Sequence, residues 1–205
     1  MVKQMLGSDP EYTLTEQFIT MLMVVLAILA TVPAILIFLK IRGEEKKERN
    51  EHLLTRGVSR YQLLAHYFIL AIVIGVLSLF LAIFGLWMTA TNVMVDPIPL
   101  TNLLKAGMAY IPAMLIILIL ATFLFGFLPR WTPLVWMYLV YSFFTVYLGG
   151  LLDMPAWVAN ISSFSHIPQL PVEEFSWKPI EVLLVICIIS AILSFIGYRK
   201  RDALG

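Results

Sequence analysis

The densest concentration of residues able to do chemistry in this chain is one short run. Between Arg42 and Tyr61 stand Glu44, Glu45, Lys46, Lys47, Glu48, Arg49, Glu51, His52, Arg56 and Arg60, acids and bases interleaved. The first half is rich in helix formers, and Glu45 precedes Arg49 by four residues, the order that supports an ion pair along a helix. Leu53, Leu54, Val58 and Tyr61 add a narrow apolar stripe at helical spacing, and Gly57 with Ser59 predicts a break before the next helix. Two readings stand side by side: a solvated loop, or a docking helix that offers charge and a small apolar face to a partner.

A second concentration lies between Asp153 and Trp177. Pro155, Trp157, Val158, Ile161 and Phe164 predict a short apolar face, suited to a helix that lies at a membrane interface or dips into it. Pro168 and Pro171 then prevent the helix from continuing. His166 has no second ligand nearby, and His52 and His66 are predicted across the membrane from it, so no metal site is expected. Asn160-Ile161-Ser162 matches the short glycosylation sequon. The single cysteine, Cys187, stands inside an apolar run and reads as a small lipid- or core-facing residue. The chain has no Gly-x-x-x-x-Gly-Lys loop, no Gly-x-Ser-x-Gly elbow and no His-Glu-x-x-His, so no catalytic residue and no bound cofactor are expected on it.

The elements that must position these segments are membrane helices. Sixty per cent of the 205 residues are hydrophobic and 13% are charged, whereas a soluble domain carries roughly 25% charged residues. The net charge of +1 offers no field for nucleic acid. Five apolar stretches, at about 18–39, 67–90, 106–128, 132–152 and 180–198, uncharged but for Glu181 at the start of the last, reach or approach the ~20 residues that cross a bilayer. Lipid gives backbone amides no partners, so the fold class is all-α: a polytopic helical bundle forming one transmembrane domain over 1–205. Pro33 and Pro112 are expected to kink the first and third spans, and Leu128 to Pro133 forms a tight turn between the third and fourth.

Lysines and arginines set the orientation. Segment 40–62 carries seven, the turn at Arg130 one, and the end Arg199, Lys200 and Arg201, so eleven of the fourteen fall on one side. The positive-inside rule then puts segment 40–62 and the C-terminus in the cytoplasm, and the N-terminus and segment 153–177 outside. No signal peptide is visible, and a chain beginning outside is more easily understood if a further helix precedes it. No acidic or basic residue falls at mid-membrane depth, which argues against an ion- or proton-driven carrier and fits apolar or amphipathic cargo.

Two family resemblances attach to the charged run. Glu44, Glu45 and Arg49 fit Glu-Glu-x-x-x-Arg, which resembles the signature of CAAX-protease-like intramembrane peptidases. That family keeps its glutamates within the membrane beside histidines of later helices, and here the spans after His66 contain none. The fuller resemblance is to permease subunits of ABC-2 type exporters, in the group associated with tetronasin and polyketide-antibiotic resistance. It rests on Arg42, Glu44, Glu45, Arg49, Glu51, Leu53, Leu54, Val58, Ser59 and Arg60, with Gly57 where the family often has proline. It continues through Phe127-Leu128-Pro129-Arg130, the stretch Ser163 to Pro171, and the basic end Tyr198 to Asp202.

That resemblance implies a bacterial plasma-membrane exporter subunit. The charged segment would be the coupling element touching a separate ABC ATPase, which would carry the ATP and Mg. The external residues Trp157, Phe164, His166, Pro168 and Pro171 would line or gate the exit. The chain is similar to the second half of such a permease without its first helix, so a further permease half or a second membrane chain is implied. A non-catalytic assembly subunit is the remaining alternative.

Overall fold

The computed structural model describes residues 14–46, 60–94, 97–149, 155–167 and 177–200. Among them there is no strand. The α-helices are α1 (Leu14–Lys46), α2 (Arg60–Val93), α3 (Leu100–Met108), α4 (Ile111–Phe127), α5 (Leu134–Leu148), α6 (Ala156–Ala159) and α7 (Trp177–Lys200), with single 3-10 turns at Pro129–Trp131 and Ser163–His166. Three segments among the described residues are long and apolar enough to cross a bilayer: Phe18–Glu44, Gln62–Val93 and Leu100–Phe127. Leu134–Leu148 and Glu181–Ser194 are shorter apolar helices. The protein is an all-α membrane helical bundle.

α1 and α2 form a long antiparallel pair, and small residues let them close. Ala27, Ala30 and Ala34 on α1 and Ala71 on α2 are buried. At Gly75 a Cβ would lie 3.1 Å from the Ala34 Cβ and 2.7 Å from the Met114 Sδ, so α1, α2 and α4 meet there with no room for a side chain. Without a hydrophobic drive in lipid, such close backbone approach is what holds membrane helices together. Further along, a Cβ at Gly107 would run into the Ile83 side chain, which seats α3 on α2.

α4 is the central helix, packed along α7 and against α1. Ala113, Met114, Ile117, Leu118, Ala121, Thr122 and Phe125 are all buried along it. Phe125 meets Phe38 of α1 edge to face, with ring centroids 6.1 Å apart, a geometry worth about 0.5–1.5 kcal/mol beyond the buried area. Buried hydroxyls turn back on their own helix: Thr31 donates to the Ala27 carbonyl at 2.8 Å and Thr122 to Leu118 at 2.7 Å. An unpaired hydroxyl in an apolar core would cost more than the slight helix distortion these bonds cause. On the outside, α2 leaves Ile69, Val73, Leu77, Phe80, Leu81 and Phe84 exposed, the surface a bilayer solvates.

The two prolines behave differently. α1 runs through Pro33 as one helix. Pro112 lies just past an irregularity within the single apolar span Leu100–Phe127: α3 ends at Met108 and α4 begins at Ile111, with Ala109 and Tyr110 between them still in the right-handed helical region. The proline ring would strike the Met108 carbonyl and has no N–H for it. The chain tightens before it, with Tyr110 N–H donating to the Gly107 carbonyl at 3.0 Å, and Met114 N–H then resumes the helical pattern onto Tyr110 at 3.1 Å. α3 is amphipathic, with Leu103, Ala106 and Gly107 buried and Thr101, Asn102 and Lys105 exposed, so the helix reaches six residues before the apolar run that begins at Ala106.

Candidate functional site

The charged segment is flanked by the ends of the α1–α2 pair. α1 does not stop where its apolar run ends at Leu39; it continues to Lys46, about 10 Å further at 1.5 Å per residue. On this extension Lys40 and Gly43 are exposed, while Arg42 and Glu44 are half-buried. Glu44 lies within electrostatic reach of Tyr67 on α2. Beneath them Phe38, Ile41, Leu63 and Leu64 are buried in the common core. Glu45 belongs to the last turn of α1 and Arg60 opens α2. Arg49, Glu51, Leu53, Leu54, Val58 and Ser59 lie outside the described residues.

No group of three His, Cys, Asp or Glu side chains converges among the described residues. His66 turns its Nδ1 to the carbonyl of Gln62, one helical turn back, at 2.6 Å. The local backbone therefore occupies one ring nitrogen of this imidazole.

Segment 155–167 is built differently from the single apolar face expected of it. Only Ala156–Ala159 is α-helical, and a 3-10 turn at Ser163–His166 follows. The apolar residues divide: Phe164 is 2% exposed and Ile167 is buried, while Trp157 is 68% exposed and Ile161 also faces outward. Four residues make barely one helical turn, too short to gather one stripe. His166 is exposed, with its Nδ1 3.0 Å from the Ser162 carbonyl. Pro168 and Pro171 lie outside the described residues.

Residues that were not singled out in the sequence hold this segment in place. The Tyr141 hydroxyl donates to the Val158 carbonyl at 2.6 Å, and the Tyr138 hydroxyl donates to Ile161 at 2.9 Å. The same Tyr138 oxygen accepts the Ser163 N–H at 3.0 Å. Ser163 Oγ reaches the Ala113 carbonyl at 3.4 Å, and Phe164 stacks on Tyr110 with centroids 6.3 Å apart. The segment is thus a strap bridging the first turn of α4 and the first half of α5. A signal was present: two tyrosines three apart on one helical face, in a stretch otherwise rich in phenylalanine, each with a hydroxyl that needs a partner when buried.

Between α4 and α7 runs a half-open apolar groove of about 230 Å³, lined by Ile116, Ile119, Leu120, Phe123, Ile186, Cys187 and Ser190. The Cys187 Sγ lies 4.0 Å from the Pro112 carbonyl.

The family model for the C-terminal domain of the multidrug efflux system permease Rv1217c matches residues 1–199. The chain belongs to that family. It is 29% identical over 194 residues to the multidrug efflux system permease protein Rv1217c of Mycobacterium tuberculosis (strain ATCC 25618 / H37Rv), an alignment covering 92% of this chain and 35% of that protein. The chain therefore spans roughly a third of the relative's length. The match takes in the α1–α2 pair, the charged run between them and the strap, so all three are parts of one efflux-permease C-terminal domain.

Proposed function

We propose that this domain is the C-terminal permease part of an ABC-2 type exporter that moves hydrophobic or amphipathic cargo outward. One observation carries the reading: the efflux-permease match runs unbroken through residue 199, so it contains both the charged segment and the bundle that would carry cargo. Segment 40–62 faces the cytoplasm and docks on a separate ABC ATPase, which binds ATP and Mg. The extension of α1 to Lys46 supports this, because a continuous helix passes a push at its end into the core at Phe38 and Phe125 without a flexible joint. Spans without acidic or basic groups at mid-depth and the apolar groove between α4 and α7 suit cargo that partitions into lipid. A further permease half, or a second membrane chain, completes the pathway.

The reading is tested by affinity purification of the full-length permease from its native membrane in mild detergent. An ATPase subunit with a phosphate-binding loop should accompany it in stoichiometric amount, and should be lost when residues 42–60 are replaced by a Gly/Ser linker of equal length. Recovery of the ATPase with the replaced segment would contradict segment 40–62 as its docking site.

A further inference from the structure

The strap descends along α5 rather than capping its end. Val158 is held by Tyr141 and Ile161 by Tyr138, so the chain moves three residues back along α5 as it advances. α5 ends at Leu148, ten residues beyond Tyr138, or about 15 Å at 1.5 Å per residue. Helical side chains lean toward the N-terminus, which carries the two phenols further still from the Leu148 end. From there the strap crosses to α4, where Ser163 meets Ala113 and Phe164 lies on Tyr110.

Irregular backbone at such depth needs partners that water supplies elsewhere. The two phenols provide them, satisfying the carbonyls of Val158 and Ile161 and the N–H of Ser163. Tyr138 is the pivotal one, acting as donor and acceptor at once. Beside it Ser162 Oγ is fully buried with no hydrogen-bond partner, and so is Ser142 Oγ, one turn along α5 from Tyr138. These two buried hydroxyls, one in the strap and one on α5, are polar groups ready for new partners once the strap moves, such as water or a polar group of passing cargo.

We propose that Tyr138 and Tyr141 are the latch of the outward gate: their phenols hold the 155–167 strap closed between α4 and α5, and their release opens the outer end of the pathway. This rests on the exporter reading, and it assigns that reading's gate to two positioning residues. Closed, the strap is held by four hydrogen bonds, three of them through the two phenols, and an aromatic stack. Removing the hydroxyls while keeping the rings weakens the closed state without emptying the core.

The test uses the full-length permease in sealed right-side-out vesicles. Ser162→Cys, in a Cys187→Ala background, gives a buried thiol under the strap whose reaction with a membrane-impermeant maleimide reports opening. Tyr138→Phe with Tyr141→Phe should speed that labelling about tenfold or more, as expected for the loss of hydrogen bonds worth about a factor of five each. Tyr147→Phe, outside the strap contacts, should leave it unchanged. Labelling as slow in the double phenylalanine variant as in its parent, with both proteins eluting as folded species, would overturn the latch. Because the readout needs neither ATP nor cargo, failure of the exporter reading would leave this result standing, and failure of the latch would leave ATPase docking untouched.

Discussion

Neutralising Glu44, Glu45 and Glu51 together, as E44Q/E45Q/E51Q, is expected to remove the permease's stimulation of its ATPase by about tenfold or more while insertion stays intact. Charge pairs desolvated across a protein interface cost about 2–5 kcal/mol when one partner is truncated, and each 1.4 kcal/mol is roughly tenfold in affinity. Insertion is spared because the glutamates stand beyond the apolar run that ends at Leu39, and glutamine is as acceptable in a helix as glutamate. Glu44 anchors this expectation in the structure, half-buried on the α1 extension and within electrostatic reach of Tyr67. Stimulated ATP hydrolysis measured in reconstituted vesicles is the readout, and stimulation equal to wild type would remove the coupling role from this segment.

Gly75→Leu is expected to be the most damaging single substitution in the bundle. A Cβ at this position already falls 2.7 Å from Met114 Sδ, 3.2 Å from Met114 Cε and 3.1 Å from the Ala34 Cβ. Methionine is pliable and can withdraw, but Ala34 sits on the backbone of a helix and can yield only if α1 moves. Gly75→Ala therefore needs a few tenths of an ångström and should cost about 1 kcal/mol, near the lower bound for overpacking. Leucine must part α1 from α2 and α4, and should cost about 3 kcal/mol or more. Detergent titration of the purified variants reads the order directly. Equal resistance of the leucine variant and wild type would mean that the three helices do not meet as closely as the structure has them.

How much was legible beforehand follows from what lipid demands. A bilayer enforces helices wherever an uncharged apolar run is long enough, so α1, α2 and α4 were readable from composition alone. Their ends were less so, because helix continues past the hydrocarbon wherever local propensity allows: α1 carries on through Arg42 and Glu44, and α3 begins before Ala106 with Lys105 on its exposed side. Pro112 was visible as a disruption, but sequence does not say whether a proline bends a helix, as the rule would have it, or divides it. Here it follows a two-residue irregularity between α3 and α4 within one apolar span, whereas α1 continues through Pro33. The strap was the least legible part. Its apolar residues suggested one face, yet Phe164 goes inward and Trp157 outward, because the segment is fastened by long-range bonds from Tyr138 and Tyr141 that no local pattern encodes. Of the charged run, sequence supplied the motif, and the structure adds the helix extension that carries Arg42 and Glu44 outward from the core.

The central claim is that this domain belongs to an outward pump driven by ATP on a partner chain. It is tested most directly in inside-out vesicles that contain the full-length permease and its co-purified ATPase, with a lipophilic fluorescent dye as cargo. Dye should accumulate inside on addition of Mg-ATP, fail to do so with a non-hydrolysable analogue, and fail again with E44Q/E45Q/E51Q. Accumulation that proceeds without ATP, or equally well in vesicles lacking this permease, would contradict the account.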